Sequence, residues 1–220
     1  MPDPDACPLC GRASPAPHHA AAGTRFHRCA GCALIFRDPA QWPDRDAEAA
    51  HYRLHRNDPH DPGYRRFLQP LFDALAPRLP AGAEGLDFGC GPGPALAAML
   101  REAGHRVQVY DPLFADAPDT LRRRYDFVTA SEVIEHLHRP AETLALLGDL
   151  LGAGGILGVM TGAPPADPEA FARWHYLRDP THVAFYGPDT LRWIAQRHGW
   201  TLSLPARHVA LFTVPAPALA

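Results

Sequence analysis

Leu86-Asp87-Phe88-Gly89-Cys90-Gly91-Pro92-Gly93-Pro94 lies near the middle of this 220-residue chain. A short apolar stretch carries an acid, then glycine returns at every second position, and a helix-like run follows. This pattern predicts the turn at which the first strand of an α/β domain hands over to its first helix. Glycines there fold the backbone tightly and admit a ligand that a Cβ would obstruct. A dinucleotide fingerprint reads G-x-G-x-x-G. Here the third glycine comes one residue early, proline stands at position 94, and Asp87 precedes the turn. A Gly/Pro-rich loop without a ligand is the competing reading, since such turn signals are common.

Outward from this turn the pattern alternates. Strands are expected at residues 86–88, 107–110, 126–130 and 156–161. Helices are expected at 94–104 (proline in the first turn), 141–151, near 168–177 and at 188–197. No strand is visible between 112 and 125. Segments 201–204 and 209–214 read as a final hairpin. Alternation of this kind implies a parallel sheet with ligand sites at the carboxyl ends of its strands. Upstream, Phe67, Leu68, Leu71, Phe72 and Leu75 share one face of a helix expected over 64–79, with Pro70 bending it. Residues 38–46 read as a linker.

The composition narrows the class. Hydrophobic residues make up 46%, enough for a core, and the net charge is −3. Nothing supplies the basic field of a non-specific nucleic-acid binder, so nucleic acid is not an expected partner. No apolar run approaches the roughly 20 residues of a membrane span. The first residues lack the basic and apolar regions of a secretory signal, so a cytoplasmic location is expected.

Four of the five cysteines fall in two pairs, Cys7/Cys10 and Cys29/Cys32, spaced C-x2-C-x18-C-x2-C. Each pair lets two thiolates from one turn face one ion, and two such turns build a closed tetrahedral zinc site. Two disulfides are the rival reading, disfavoured in a reducing compartment. A closed ligand set leaves no position for substrate, so this metal is expected to be structural. His18, His19 and His27 read as solvated loop residues beside it. Short ribbon strands are expected within 26–36.

Motifs in order now suggest a family. Residues 86–93 resemble motif I of the class I S-adenosylmethionine (SAM) methyltransferases. Val109-Tyr110-Asp111-Pro112 resembles their second-strand acid. Residues 125–137, with Glu135-His136, resemble the fourth-strand motif of the ubiquinone-methylase-like branch. Residues 150–155 resemble the turn before strand five. The resemblance implies a Rossmann-like α/β sheet with a small N-terminal zinc ribbon. It implies SAM bound by Asp87, Gly89, Cys90, Gly91, Gly93, Asp111, Pro112, Ser131, Glu132, His136 and Tyr64, with Asp111 accepting from ribose hydroxyls and Asp87 facing the amino group. Cys90 also reads as a small buried filler, and Glu135-His136 as a structural, cofactor-side element. The expected organisation is a ribbon at 1–38, a linker and helical lid at 39–80, the SAM domain at 81–214 and a frayed tail at 215–220.

The acceptor side is expected from residues 174–186, which mix aromatic walls with polar groups. His182 is the candidate base, with metal ligation its alternative role, Asp179 its orienting acid and His175 the second candidate. Ordinary lid packing is the competing reading. His51 and His55, four apart, would share a helical face and read either as part of a solvated linker or as closing over the ligand with Asn57 and Tyr64. The reading is a SAM-dependent methyltransferase acting on a small molecule. An RNA or protein methyltransferase that docks through the ribbon is the first alternative. A non-catalytic SAM-binding or zinc-ribbon interaction module is the second.

Overall fold

The computed structural model describes residues 6–21, 23–54 and 57–216. Strands and helices, in chain order, are β1 (Ala16–Ala21), β2 (Thr24–Arg28), β3 (Ile35–Arg37), α1 (Arg45–Tyr52), α2 (Pro62–Leu75), β4 (Glu84–Phe88), α3 (Ala95–Glu102), β5 (Arg106–Tyr110), β6 (Tyr125–Ser131), α4 (Pro140–Asp149), β7 (Leu151–Met160), α5 (Pro168–Ala172), β8 (Ala184–Phe185), α6 (Pro188–His198), β9 (Thr201–Ala206) and β10 (Val209–Thr213). The large sheet runs β5-β4-β6-β7-β10-β9. Its first four strands are parallel, and β10 returns antiparallel against both β7 and β9.

Alternation along β6 explains the layering. Phe127 points to one face, where Leu68, Leu71 and Leu75 of α2 and Leu96, Met99 and Leu100 of α3 cover it. Val128 points to the other, where Leu144 and Leu147 of α4 and Leu191 and Ile194 of α6 lie. Burial on both faces is the reason these strands read as apolar runs. Between β5 and β6 stands a 3-10 turn, Pro118–Arg122, where a third strand was not expected.

A second sheet, β1-β2-β3-β8, carries the cysteine turns. Its last member comes from far along the chain: Ile35 pairs with Phe185 and Phe36 with Ala184. Cys7, Leu9, Cys29, Cys32, Leu34 and Phe36 join the core of the large sheet. His18 and His19 sit on β1, not in a loop as expected, and the His18 ring meets Phe171 edge-on at 5.1 Å.

Two local differences bear on the site. Residues 168–177 do not form one helix, because Trp174 is extended (φ −67°, ψ 123°) and a separate 3-10 turn, His175–Arg178, begins after it. That break sends Tyr176 inward and leaves His175 exposed. Residues 45–52, read in part as linker, form α1 because Asp44 caps the amide of Ala47. Among the described residues, no helix is long and apolar enough to cross a membrane.

Candidate active site

The carboxyl ends of β4, β5 and β6 open into a cavity of about 550 Å³, a size suited to small-molecule ligands. Its floor is the glycine turn and its far wall is Ser131, Glu132 and His136. Tyr52 of α1 and Tyr64 of α2 also line it, and Asp179 and His182 close the remaining side.

The turn's glycines have separate reasons. Gly91 (φ +63°) faces the cavity, with only the Asn57 amide 3.5 Å from where its Cβ would stand. A Cβ on Gly89 (φ +69°) would meet Val133 at 2.6 Å. One on Gly93 would stand 1.6 Å from the Asn57 carbonyl, and Gly93 is not among the lining residues. Gly93 therefore admits the close approach of the Asn57 backbone. Cys90 lines the cavity although it is largely buried.

Asp111 is oriented by backbone alone. Its Oδ2 accepts from the Gly91 amide at 3.0 Å, and its Oδ1 from Leu113 and Phe114 at 2.8 and 3.1 Å. A carboxylate has about four lone-pair positions, so it retains room for a hydroxyl. Asp87 accepts from the Thr129 hydroxyl at 2.7 Å. Burial, only partly offset by that bond, pushes its carboxyl up to about 6. An acid whose folded value lies above its unfolded one makes the folded state the better proton binder between the two. Stability then falls as pH rises from about 4 to about 6, and the cost persists above that window. Asp87→Asn is expected to recover about 3 kcal/mol of apo-protein stability at pH 7, and to flatten that pH slope in urea titrations. Unchanged stability at pH 7 would show that Asp87 ionises without cost.

On the opposite wall, Glu132 stands in the left-handed region (φ +53°), with its amide bonded to the Met160 carbonyl at 2.8 Å. Its carboxylate accepts from the Tyr176 hydroxyl at 2.9 Å. The same hydroxyl contacts Glu135, whose other oxygen accepts from Thr161 at 2.9 Å. The Gly162 amide donates to the phenol oxygen at 3.1 Å. Burial pushes the Glu132 carboxyl up to about 7, against the Tyr176 bond. Burial and the neighbouring Glu132 push Glu135 well above the usual carboxylate range.

His182 presses its ring on Tyr176, with centroids 3.9 Å apart. Its Nδ1 lies 2.8 Å from the Tyr176 carbonyl. A carbonyl only accepts, so Nδ1 carries the proton and Nε2 the lone pair. Burial lowers the imidazole's pKa, against the Asp179 carboxylate 3.8 Å from Nε2. Burial opposes ionisation of Asp179, but Thr181 and His182 outweigh it and hold that carboxyl down at about 2. His51 of α1 reaches Asp179 at 3.1 Å. Asn57 donates to the Tyr64 hydroxyl at 3.3 Å. His55 lies outside the described residues. His175 is exposed and absent from the lining, a placement that follows from the turn after Trp174. Tyr52 was not anticipated as a site residue, and Glu135 and Tyr176 were read only as part of the fourth-strand motif and of the aromatic segment 174–186. Two acids three apart in an apolar stretch, Glu132 and Glu135, were the available signal.

Two clusters of metal-ligand type occur among the described residues. The four cysteine sulfurs lie within 4.8 Å of one another, with Cys7–Cys32 at 3.5 Å and Cys10–Cys29 at 3.4 Å. These distances are too long for a disulfide and near the roughly 3.8 Å sulfur separation of a tetrahedral zinc–thiolate centre. Glu135, His136 and His182 form the second cluster. Both Glu135 oxygens are taken by hydroxyls, so this group reads as a hydrogen-bonded network.

A family model described as "Methyltransferase domain" matches residues 35–203. A search of curated proteins finds no match. Among solved structures, an O-methyltransferase family protein from Burkholderia thailandensis aligns with a TM-score of 0.55 at 16% identity. The alignment covers 80% of this chain and 64% of that one. A 1,6-didemethyltoxoflavin-N1-methyltransferase from the same organism, with S-adenosylhomocysteine bound, aligns at 0.54 and 18%, covering 90% and 97%. A SAM-dependent methyltransferase from Archaeoglobus fulgidus aligns at 0.50 and 22%, covering 62% and 69%. With the glycine turn, the strand-end acids and the sheet order already placed, the match over most of the chain assigns it: this protein belongs to the methyltransferase-domain family.

Proposed function

We propose that the cavity binds SAM along the β4 turn and a small-molecule acceptor beneath the lid. The observation that carries this reading is the Asp111 carboxylate, fixed by three amides at the mouth of the glycine turn. Asp111 and Pro112 hold the ribose end, Asp87 and Gly89 to Gly91 the amino-acid end, and Tyr64 covers them. Ser131, Glu132 and His136 continue the wall toward the acceptor. SAM supplies an activated methyl group, so the protein's work is to align the acceptor and exclude water. Where the acceptor arrives protonated, His182 Nε2 takes the proton and Asp179 stabilises the imidazolium.

The four cysteines are proposed to hold one structural zinc, at the heart of a ribbon over residues 1–38. Residues 39–80 act as lid and 81–214 as the SAM domain. The net charge of −3 and the cavity of about 550 Å³ favour a small molecule over a nucleic acid. Calorimetry is expected to show SAM binding, and Asp111→Ala to weaken it by about 1–3 kcal/mol through loss of a charged hydrogen-bond acceptor. Binding of NAD in place of SAM would overturn the assignment.

A further inference from the structure

The cavity's charges do not balance. Asp87, Asp111, Glu132 and Asp179 line it, while no described lining residue is Lys or Arg. Three of the four acids are accounted for. Asp111 is held by amides. Asp87 sits against Thr129 at the cofactor end. Asp179 faces His51 and His182, and its own carbonyl accepts from Arg37 at 3.2 Å. Glu132 stands apart from all of these, on the wall that the lid covers.

Its surroundings keep a negative charge available at that wall. The Tyr176 hydroxyl carries one proton and lies between two carboxyl groups. Two buried anions around one proton are strongly unfavourable, so one carboxyl keeps a proton of its own. Glu135 is fully buried, while Glu132 opens to the cavity. A protonated Glu135 donates to the phenol oxygen, and the phenol then donates to Glu132. The Gly162 amide and the Thr161 hydroxyl complete the network. Charge is thereby placed at the one carboxyl that a ligand can reach. The left-handed backbone at Glu132 costs on the order of 1 kcal/mol and fixes the side chain on this wall.

We propose that the methyl acceptor is a small amine whose ammonium group is held against Glu132. This deepens the methyltransferase reading above and rests on it. Tyr52, Tyr64 and Phe114 supply aromatic faces in the same cavity, which attract a cation and an apolar body alike. An anionic acceptor would meet like charge on every side. The reaction balances with groups already placed. The ammonium gives one proton to His182 Nε2, and the freed nitrogen lone pair bonds the methyl carbon. The carbon–sulfur electron pair returns to sulfur, leaving a neutral thioether and a methylated ammonium. Asp179 compensates the imidazolium until its proton passes to water.

Three probes with one body separate the possibilities: 2-phenylethylamine, 2-phenylethanol and 3-phenylpropionate. Each is titrated by calorimetry into the full-length protein saturated with S-adenosylhomocysteine. The amine is expected to bind about 10–100-fold more tightly than the other two, and Glu132→Gln to abolish that preference in protein still saturated with S-adenosylhomocysteine. Tyr176→Phe, which removes the hydroxyl that supports the Glu132 charge, is expected to weaken the preference. Equal or tighter binding of the carboxylate overturns the proposal. So does binding of none of the three, or an undiminished preference in either variant. A protein that fails to bind S-adenosylhomocysteine at all would overturn the methyltransferase reading, and the amine assignment with it.

Discussion

His182→Ala is expected to lower turnover by about 10²–10⁴-fold while SAM affinity stays near wild type. The imidazole is tied through Nδ1 to the Tyr176 carbonyl, so Nε2 alone is presented to the cavity. Burial keeps the ring neutral to lower pH than an exposed histidine, with the lone pair ready near neutrality. The acidic limb of the turnover profile should therefore lie below the ordinary histidine value of about 6.5. Tyr176, Asp179 and His51 face the ring or its carboxylate partner, and Arg37 lies behind, so a change at any of these should move that limb. Were His182 only packing, turnover, stability and SAM affinity would drift together by small amounts. Stopped-flow turnover beside calorimetric SAM binding distinguishes the two patterns.

Cys29→Ser is expected to abolish stoichiometric zinc and unfold the ribbon. Elemental analysis should find about one zinc per wild-type chain. Three of the four cysteines are buried. Burial pushes the Cys10 thiol up to about 11, and contact with Cys7 together with burial holds Cys32 higher still. Such a cluster ionises fully only around a cation. Metal-linked folding free energy on the order of 10 kcal/mol is at stake for a site of this type. The β1–β3 sheet should lose amide protection first, and the large sheet should keep its SAM binding. A Cys29→Ser protein with full zinc content and unchanged exchange would remove the metal from the account of folding.

Much of the large sheet was legible because its signals are local. The glycine turn, the acids ending β4 and β5, and Gly199 closing α6 at φ +69° each follow from neighbouring residues. The paired cysteines announced their proximity by spacing alone. The pairing of Ile35 with Phe185 could not be read, because residues 150 apart leave no periodic trace of one another. The same holds for Gly93, whose need for a bare backbone comes from Asn57 on another element. Histidines 175 and 182 both read as candidate bases in the sequence, with His182 first. What separates them is the extended Trp174, which turns Tyr176 inward and its neighbour out.

The short β8 strand depends on the cysteine-bearing segment for its cover. Ala184 and Phe185 form a sheet edge with Val183 and Tyr186 beside them, all four buried. Strand β3 covers that edge, with the Arg37 amide bonded to the Val183 carbonyl and Ile35 and Phe36 in register beyond it. Trimming the chain before residue 38 would strip this cover and leave an apolar strand with unpaired amides and carbonyls, a template for joining one molecule to the next. The cysteine-bearing segment thus acts as a built-in shield against self-association, and its removal should be read out by light scattering before any assay of chemistry.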